Sequence, residues 1–223
     1  MTFEEIRQEL INNAEEKFRD FSAKIVCTKM PMLGVRTPTV KKLAREANAD
    51  YLNSSPYYYE ELLVYGFALG RMESTAKGLF EKLPRYLGFA DCWAAIDSPI
   101  SGMKALKKEK NESLAYIDGY LHDEREYFAR FAAVALFNYI DKEHIDGVID
   151  RYASVEAGRY YVDMAIAWGL SIAAVDFYDK VYSALEAGRF SDFITRKAVS
   201  KCRDSFRIPP ERKQALKDLI KKS

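Results

Sequence analysis

Helical periodicity runs through almost the whole chain and restricts its fold more than any other feature. Apolar residues recur three or four positions apart, which places them on one face of an α-helix. The first such stripe extends from Phe3 to Phe18. No segment of about 4–8 residues alternates polar and apolar side chains with β-branched enrichment, so strands have no good place. The chain is therefore predicted to be all-α.

Capping residues and helix breakers divide this pattern into about a dozen helices of roughly 10–17 residues. Thr37-Pro38 and Ser55-Pro56 are both typical of an N-cap followed by a proline in the first turn. Later helices are expected near Ala90–Ser98, Glu112–Leu121, Arg125–Tyr139, Lys142–Ala153, Gly158–Ser171, Ala174–Leu185, Asp192–Ser205 and Pro210–Lys222. Breaks are expected at Ser98-Pro99, Ser101-Gly102, Ala157-Gly158, Ala187-Gly188 and Pro209-Pro210.

The spacing of the later helices indicates a repeat. Helix starts near Arg125, Gly158 and Asp192 lie 33–34 residues apart, each marking roughly one helix pair. A globular bundle and a solenoid of paired helices both fit so many short helices, and this period favours the solenoid. Because the repeats resemble one another only weakly, degenerate HEAT-like repeats are expected, stacked into a slab with a concave face. With no long linker, residues 1–223 are predicted to form a single HEAT-like-repeat domain.

Charge is distributed unevenly along the chain. The formal net charge is only +1, yet the segment Arg189–Ser223 has eleven Lys and Arg against four Asp and Glu. That segment carries a net charge of +7 and leaves −6 on residues 1–188. A basic block of this kind can bind nucleic acid, although taken alone it is more often a solvated helix face.

Cysteine, histidine and hydropathy patterns bear on compartment and cofactors. Three widely spaced cysteines form no CxxC or metal-ligand pattern and predict a reduced, cytoplasmic protein. Two histidines argue against a histidine-rich metal site. The sequence has no apolar run of about 18 residues, no secretory-signal pattern, and no Walker, GxGxxG or HExxH motif. We therefore expect no metal, no cofactor and no membrane partner.

Four residues stand out as candidates for chemistry. Trp93 and Asp97 lie four positions apart and share one helix face. Arg130 lies in an apolar stretch, and the second tryptophan, Trp168, follows the pair Tyr160 and Tyr161 on another helix. Each has an ordinary explanation, because such tryptophans are usually core residues and such arginines usually pair with a carboxylate or extend to solvent.

Five segments in chain order resemble the DNA alkylation repair enzymes of the AlkD type, which are DNA glycosylases with HEAT-like repeats. The resemblance extends from about Met30 to about Arg207. It is carried by LGVRTPTVKKL (Leu33–Leu43), ADCWAAIDSPISG (Ala90–Gly102), YFARFAAVALF (Tyr127–Phe137), YYVDMAIAWGL (Tyr160–Leu170) and FITRKAVSK (Phe193–Lys201).

This resemblance implies a right-handed superhelical solenoid with a concave binding cleft, and hydrolysis of the N-glycosidic bond of N3- or N7-alkylated purines in double-stranded DNA. It implies a monofunctional enzyme of the DNA-3-methyladenine and 7-methylguanine type, acting in base excision repair without base flipping. Asp97 corresponds to the catalytic aspartate, Trp93 and Trp168 to its flanking tryptophans, and Arg130 to a backbone-holding arginine. Further DNA-binding positions are Arg36, Thr37, Pro38, Tyr160, Tyr161, Arg196 and Lys197.

Elementary chemistry agrees with this assignment. A cationic purine leaves without a general acid, so the barrier is the positive charge that develops on the deoxyribose, which one carboxylate can stabilise. We therefore expect Asp97 and both tryptophans to share one cleft bordered by Arg130, in a monomer. Two alternatives stay open: a non-catalytic HEAT-like scaffold that binds nucleic acid or a protein, and a protein-binding solenoid unconnected with DNA.

Overall fold

The computed structural model describes the backbone of residues 1–222 and the side chains of residues 1–220. Within that part of the chain, the regular elements are fourteen α-helices and two short 3-10 helices, with no strand. The all-α prediction is therefore confirmed. The α-helices are α1 (Phe3–Asn12), α2 (Glu16–Val26), α3 (Thr37–Glu46), α4 (Tyr59–Met72), α5 (Ala76–Phe89), α6 (Trp93–Ile100), α7 (Ala105–Lys108), α8 (Lys110–Leu121), α9 (Glu126–Ala135), α10 (Ile145–Ser154), α11 (Tyr160–Asp176), α12 (Tyr178–Glu186), α13 (Asp192–Asp204) and α14 (Pro210–Lys222).

Cα packing divides the chain into two compact units, residues 1–116 and the residues from 117 onward. In the first unit, the almost fully buried helix α4 packs between α3 and α6. In the second unit, α11 packs against α9 and α13 in the same way. These three helices begin at Glu126, Tyr160 and Asp192, intervals of 34 and 32 residues, close to the predicted period.

The N-terminal stripe forms two helices rather than the one continuous stripe predicted from Phe3 to Phe18. The helix α1 ends at Asn12 and α2 starts at Glu16, because the Glu15 amide donates to the Gly34 carbonyl oxygen at 3.2 Å. Gly34 has a φ of +84°, and a Cβ there would lie 2.6 Å from the Arg19 amide nitrogen. A tertiary contact that needs glycine therefore interrupts the helical pattern.

The predicted break at Ser98-Pro99 is also wrong, because Pro99 lies inside α6. Proline has no N–H, so the carbonyl four residues earlier, that of Ala95, lacks its usual helical donor. The buried Tyr86 hydroxyl of α5 donates to this Ala95 oxygen instead. A Cβ at Gly66 would lie 2.5 Å from that hydroxyl and 2.6 Å from Pro99, so glycine lets α4, α5 and α6 meet here.

Helix starts also shift slightly from the predicted caps. The N-cap of α3 is Arg36 rather than Thr37, and α4 begins at Tyr59, three residues after the predicted first-turn Pro56. The predicted basic block Arg189–Ser223 falls on α13 and α14, and its last three side chains lie outside the described residues. In the described part of the chain, no helix is both long and apolar enough to cross a membrane.

Candidate functional site

Trp93 and Asp97 lie one turn apart on α6, as predicted. Both side chains are partly exposed. The opposite side of the helix is buried and comprises Ala94, Ala95, Ile96, Pro99 and Ile100. The fold thus anchors α6 by its apolar face and leaves the indole and the carboxylate accessible.

The segment before α6 holds Trp93 in place. The indole Nε1 of Trp93 donates to the Ile25 carbonyl oxygen at the end of α2, at 3.2 Å. Asp91 accepts hydrogen bonds from the Thr28 hydroxyl and the Lys29 amide, both at 2.6 Å. These bonds tie the loop after α2 to the start of α6. The role of Asp91 was not foreseen, although it lies within the ADCW segment.

Burial also decides the chemistry of the neighbouring thiol. Cys92 is the N-cap residue of α6 and is almost fully buried. Burial raises its pKa to about 12, so the side chain stays a neutral thiol near neutral pH. Among the described residues, no three His, Cys, Asp or Glu side chains are grouped to hold a metal ion.

A buried carboxylate shapes the turn that leads into α3. Glu60 of α4, which is 1% exposed, accepts hydrogen bonds from the amides of Leu33, Gly34 and Val35 at 3.0, 2.7 and 3.2 Å. Three converging N–H groups compensate the buried charge. The sequence YYYEE at Tyr57–Glu61 does not predict this arrangement, since two consecutive glutamates usually indicate a solvated surface.

The three predicted DNA-contacting residues of the first unit directly follow this turn. Arg36, Thr37 and Pro38 are all exposed at the start of α3. The Arg36 guanidinium donates two hydrogen bonds to Glu15, at 2.8 and 2.9 Å, and lies 4.9 Å from the Phe18 ring centroid. The hydrogen bond from Arg36 lowers the pKa of Glu15. Arg36 must therefore exchange an internal partner if it is to hold a phosphate.

Arg130 and Trp168 belong to the second unit. Arg130 is 5% exposed on α9, and its Nη1 donates to the Tyr161 carbonyl oxygen at the start of α11. Trp168 is partly exposed further along α11 and meets the Phe137 ring edge to face, with centroids 4.8 Å apart. A buried arginine that fixes one turn of α11 is positioned by the protein itself before any ligand arrives.

An aromatic row covers the start of α11. Tyr160 is 55% exposed, and its ring centroid lies 5.2 Å from that of Tyr161 and 5.9 Å from that of Phe193 on α13. Lys197, one turn after Phe193, places its Nζ 5.5 Å from the Phe193 ring centroid, and the neighbouring Arg196 is exposed. Phe193 was missed as a site candidate, although its i, i+4 spacing to Lys197 predicts this contact.

A second missed residue is Asp163, in the first turn of α11. It is 3% exposed, and its Oδ2 accepts a hydrogen bond from the Gly158 amide at 2.9 Å. Its other oxygen, Oδ1, has no hydrogen-bond partner among the described residues. Burial therefore raises the pKa of Asp163, because the ionised carboxylate is poorly compensated.

We expect Asp163→Asn to increase the free energy of unfolding at neutral pH. The folded-state pKa lies above the unfolded value, so the wild type regains stability as the pH falls through the folded pKa toward the ordinary value of about 3.9. The advantage of the variant should thus shrink as the pH is lowered. Urea unfolding of both proteins from about pH 7 to about pH 4 measures this difference in the free energy of unfolding. An advantage independent of pH would contradict a charge effect.

The predicted site residues fall into both compact units. The first unit contains Trp93 and Asp97 on one turn of α6, and Arg36, Thr37 and Pro38 at the start of α3. The second unit contains Arg130, Trp168, Tyr160, Tyr161, Arg196 and Lys197. In the first unit α4 packs against both α3 and α6, and in the second unit α11 packs against both α9 and α13. The single cleft uniting both sets stays a prediction.

Comparison with known proteins identifies the family. A family model described as DNA alkylation repair enzyme matches residues 6–202, a segment that contains every predicted site residue. No curated protein and no solved structure gives a significant match. Because the family model covers most of the 223 residues, the chain belongs to the family of DNA alkylation repair enzymes.

Proposed function

We propose that this protein is a monofunctional DNA glycosylase that hydrolyses the N-glycosidic bond of cationic N3- or N7-alkylated purines in double-stranded DNA. The observation that carries the proposal is the partly exposed face of α6, where Trp93 and Asp97 lie one turn apart on a mostly buried helix. Membership of a DNA alkylation repair family supports DNA as the partner. The reaction needs no cofactor and begins base excision repair.

Asp97 supplies the negative charge in this mechanism. An alkylated purine already carries positive charge and departs as a neutral base, so no general acid is required. As the bond lengthens, the deoxyribose becomes cationic, and the Asp97 carboxylate stabilises that charge. The same carboxylate orients the attacking water, which adds to the sugar carbon and gives its proton to that carboxylate.

In this mechanism the two tryptophans attract the same positive charge as Asp97. Trp93 is held by its hydrogen bond to the Ile25 carbonyl oxygen, and Trp168 by edge-to-face packing on Phe137. An indole face attracts a cation by about 0.5–2 kcal/mol, and more strongly where water is excluded. A neutral purine lacks this cation–π attraction. The mechanism is therefore selective for cationic lesions without extrusion of the base from the duplex.

The remaining candidates bind the DNA backbone in this proposal. Arg130 is held by the Tyr161 carbonyl oxygen and fixes a phosphate near the lesion, since arginine binds phosphate with a rigid fork of donors. Tyr160, Tyr161 and Arg36 to Pro38 contact the strand, and Arg196 and Lys197 add positive charge. Both compact units then act as one DNA-binding domain in a monomer.

The substrate class is tested by base release. We expect the purified protein to release 7-methylguanine from duplex DNA and to leave uracil in a matched duplex untouched, because uracil is a neutral base. Liquid chromatography of the supernatant measures both. Release of uracil at a similar rate would contradict a mechanism based on leaving-group charge. Tight duplex binding without any base release would favour the non-catalytic scaffold instead.

A further inference from the structure

A basic pocket opens on the first unit between α3, α4 and the loop after α6. It encloses about 480 Å³. Its walls include four cationic side chains, and none of its described lining residues is acidic. The lining residues are Lys41, Ala44, Arg45, Phe67, Arg71, Ser101, Gly102 and Lys104.

Packing of backbone on backbone builds this pocket. Gly70 of α4 has no side chain, and a Cβ there would lie 2.9 Å from Met103 and 3.2 Å from the Gly102 backbone. The loop carrying Lys104 can therefore lie directly against α4. Arg71 donates to the carbonyl oxygens of Ala44 and Ala47 at 3.3 and 2.8 Å, which fixes its guanidinium at the end of α3.

In the described part of the chain, the other three cations have no acidic partner. Among the described residues, no carboxylate forms an ion pair with Lys41, Arg45 or Lys104. Lys41 instead lies over the Phe67 ring, with its Nζ 5.2 Å from the centroid. Arg36 and Lys82 of the same unit, by contrast, each pair with a glutamate. Uncompensated positive charges that line one concavity repel one another, and a bound anion removes that repulsion.

We propose that this basic pocket binds a phosphate of the DNA backbone, an inference that rests on the proposed function in taking DNA as the partner. Lysine and arginine are the side chains that hold phosphate in proteins. The Ser101 hydroxyl, which donates to the Ser98 carbonyl oxygen at 3.4 Å, can rotate to donate to a phosphate instead. A single carboxylate ligand carries one negative charge and would not need four cations. A DNA strand presents a continuous row of negatively charged phosphates.

The position of the pocket relative to Asp97 supports this ligand. Ser101 follows Asp97 by four residues at the end of α6, which is about 6 Å along a helix axis. A strand whose deoxyribose lies at Asp97 therefore passes within reach of the pocket with an adjoining phosphate. Binding there anchors the backbone beside the reacting sugar and opposes its displacement as the base leaves.

Paired substitutions test the proposal on unmodified duplex DNA. The pocket pair, Lys41→Gln with Lys104→Gln, removes two pocket cations. The control pair, Lys42→Gln with Lys107→Gln, removes two exposed lysines that lie near them in the chain but outside the pocket. We expect the pocket pair to bind about 10-fold more weakly and to lower the slope of log K against log salt by about 1. The control pair should stay near the wild type. Fluorescence anisotropy at several salt concentrations measures both quantities.

Two further arms complete the experiment. If circular dichroism shows that the pocket pair is unfolded, the single variant Arg45→Gln replaces it. This variant should also weaken DNA binding. Thermal unfolding in inorganic phosphate asks whether a free anion is the ligand. Stabilisation of the wild type by phosphate, lost in the pocket pair while DNA affinity is unchanged, would assign the pocket to a free anion and overturn the proposal.

The outcomes separate this proposal from the proposed function. Equal effects of the two pairs, or no effect of either, overturn the phosphate site even if 7-methylguanine is released normally. Weaker binding confined to the pocket variants supports the site even if no base is released, because the duplex used is undamaged. A wild type that binds no DNA at all refutes both.

Discussion

Replacing Asp97 by asparagine should nearly abolish release of 7-methylguanine while leaving duplex binding intact. Asparagine has the same shape as aspartate but no charge, so it cannot stabilise a cationic deoxyribose. Loss of one preorganised electrostatic group lowers the rate by on the order of 10²–10³-fold. Single-turnover base release measures the rate, and anisotropy with the same duplex measures binding.

A matched variant separates catalysis from general charge effects. Asp179→Asn removes an equally charged, exposed carboxylate on α12 and should release base at the wild-type rate. Base release by Asp97→Asn as fast as the wild type would show that the proposed mechanism is wrong. If Asp97→Asn lost activity only because it lost its fold, its unfolding temperature and its affinity for DNA would both be lower than those of the wild type.

Replacing Glu60 by glutamine should destabilise the protein strongly. The Glu60 carboxylate accepts three backbone N–H groups in a buried place. In glutamine one of the two oxygens becomes an NH2 group, so at least one of these N–H groups loses its acceptor and the remaining bonds lose their charge. Loss of charge-assisted bonds with donors left buried typically costs about 3 kcal/mol. Urea unfolding should show a lower midpoint with a similar slope.

The control for Glu60 is an exposed glutamate. Glu81→Gln on α5 breaks only a 3.9 Å contact with Lys77 and should change stability by about 0.5 kcal/mol or less. Because Glu60 shapes the turn before Arg36, the Glu60→Gln variant should also bind duplex DNA more weakly at urea concentrations near its unfolding midpoint. Equal stability of the two variants would show that the buried carboxylate is not needed to hold the turn.

Local periodicity was enough to predict the all-α class and the shared face of Trp93 and Asp97. Both depend on spacings of three or four residues, which the helix geometry converts directly into a face. The starts of α9, α11 and α13 follow for the same reason, since a repeat of helix pairs leaves its period in the sequence.

Features that depend on distant residues could not be predicted in this way. The break between α1 and α2 requires a bond from Glu15 to Gly34, and the burial of Glu60 requires three amides about 25 residues earlier. Phe193 became a site candidate only when α13 was seen to pack beside α11.

The hydroxyl of Tyr86 gives α6 an unusual dependence on its neighbours. Most helices complete their backbone bonds from within, but here, two residues before Asp97, the Ala95 oxygen accepts from a side chain of α5. Disturbance of the α5 or α4 packing is thereby transmitted to the orientation of the proposed catalytic carboxylate. Changes at Gly66 or Tyr86, which are both buried, are consequently expected to alter the proposed reaction from outside the site.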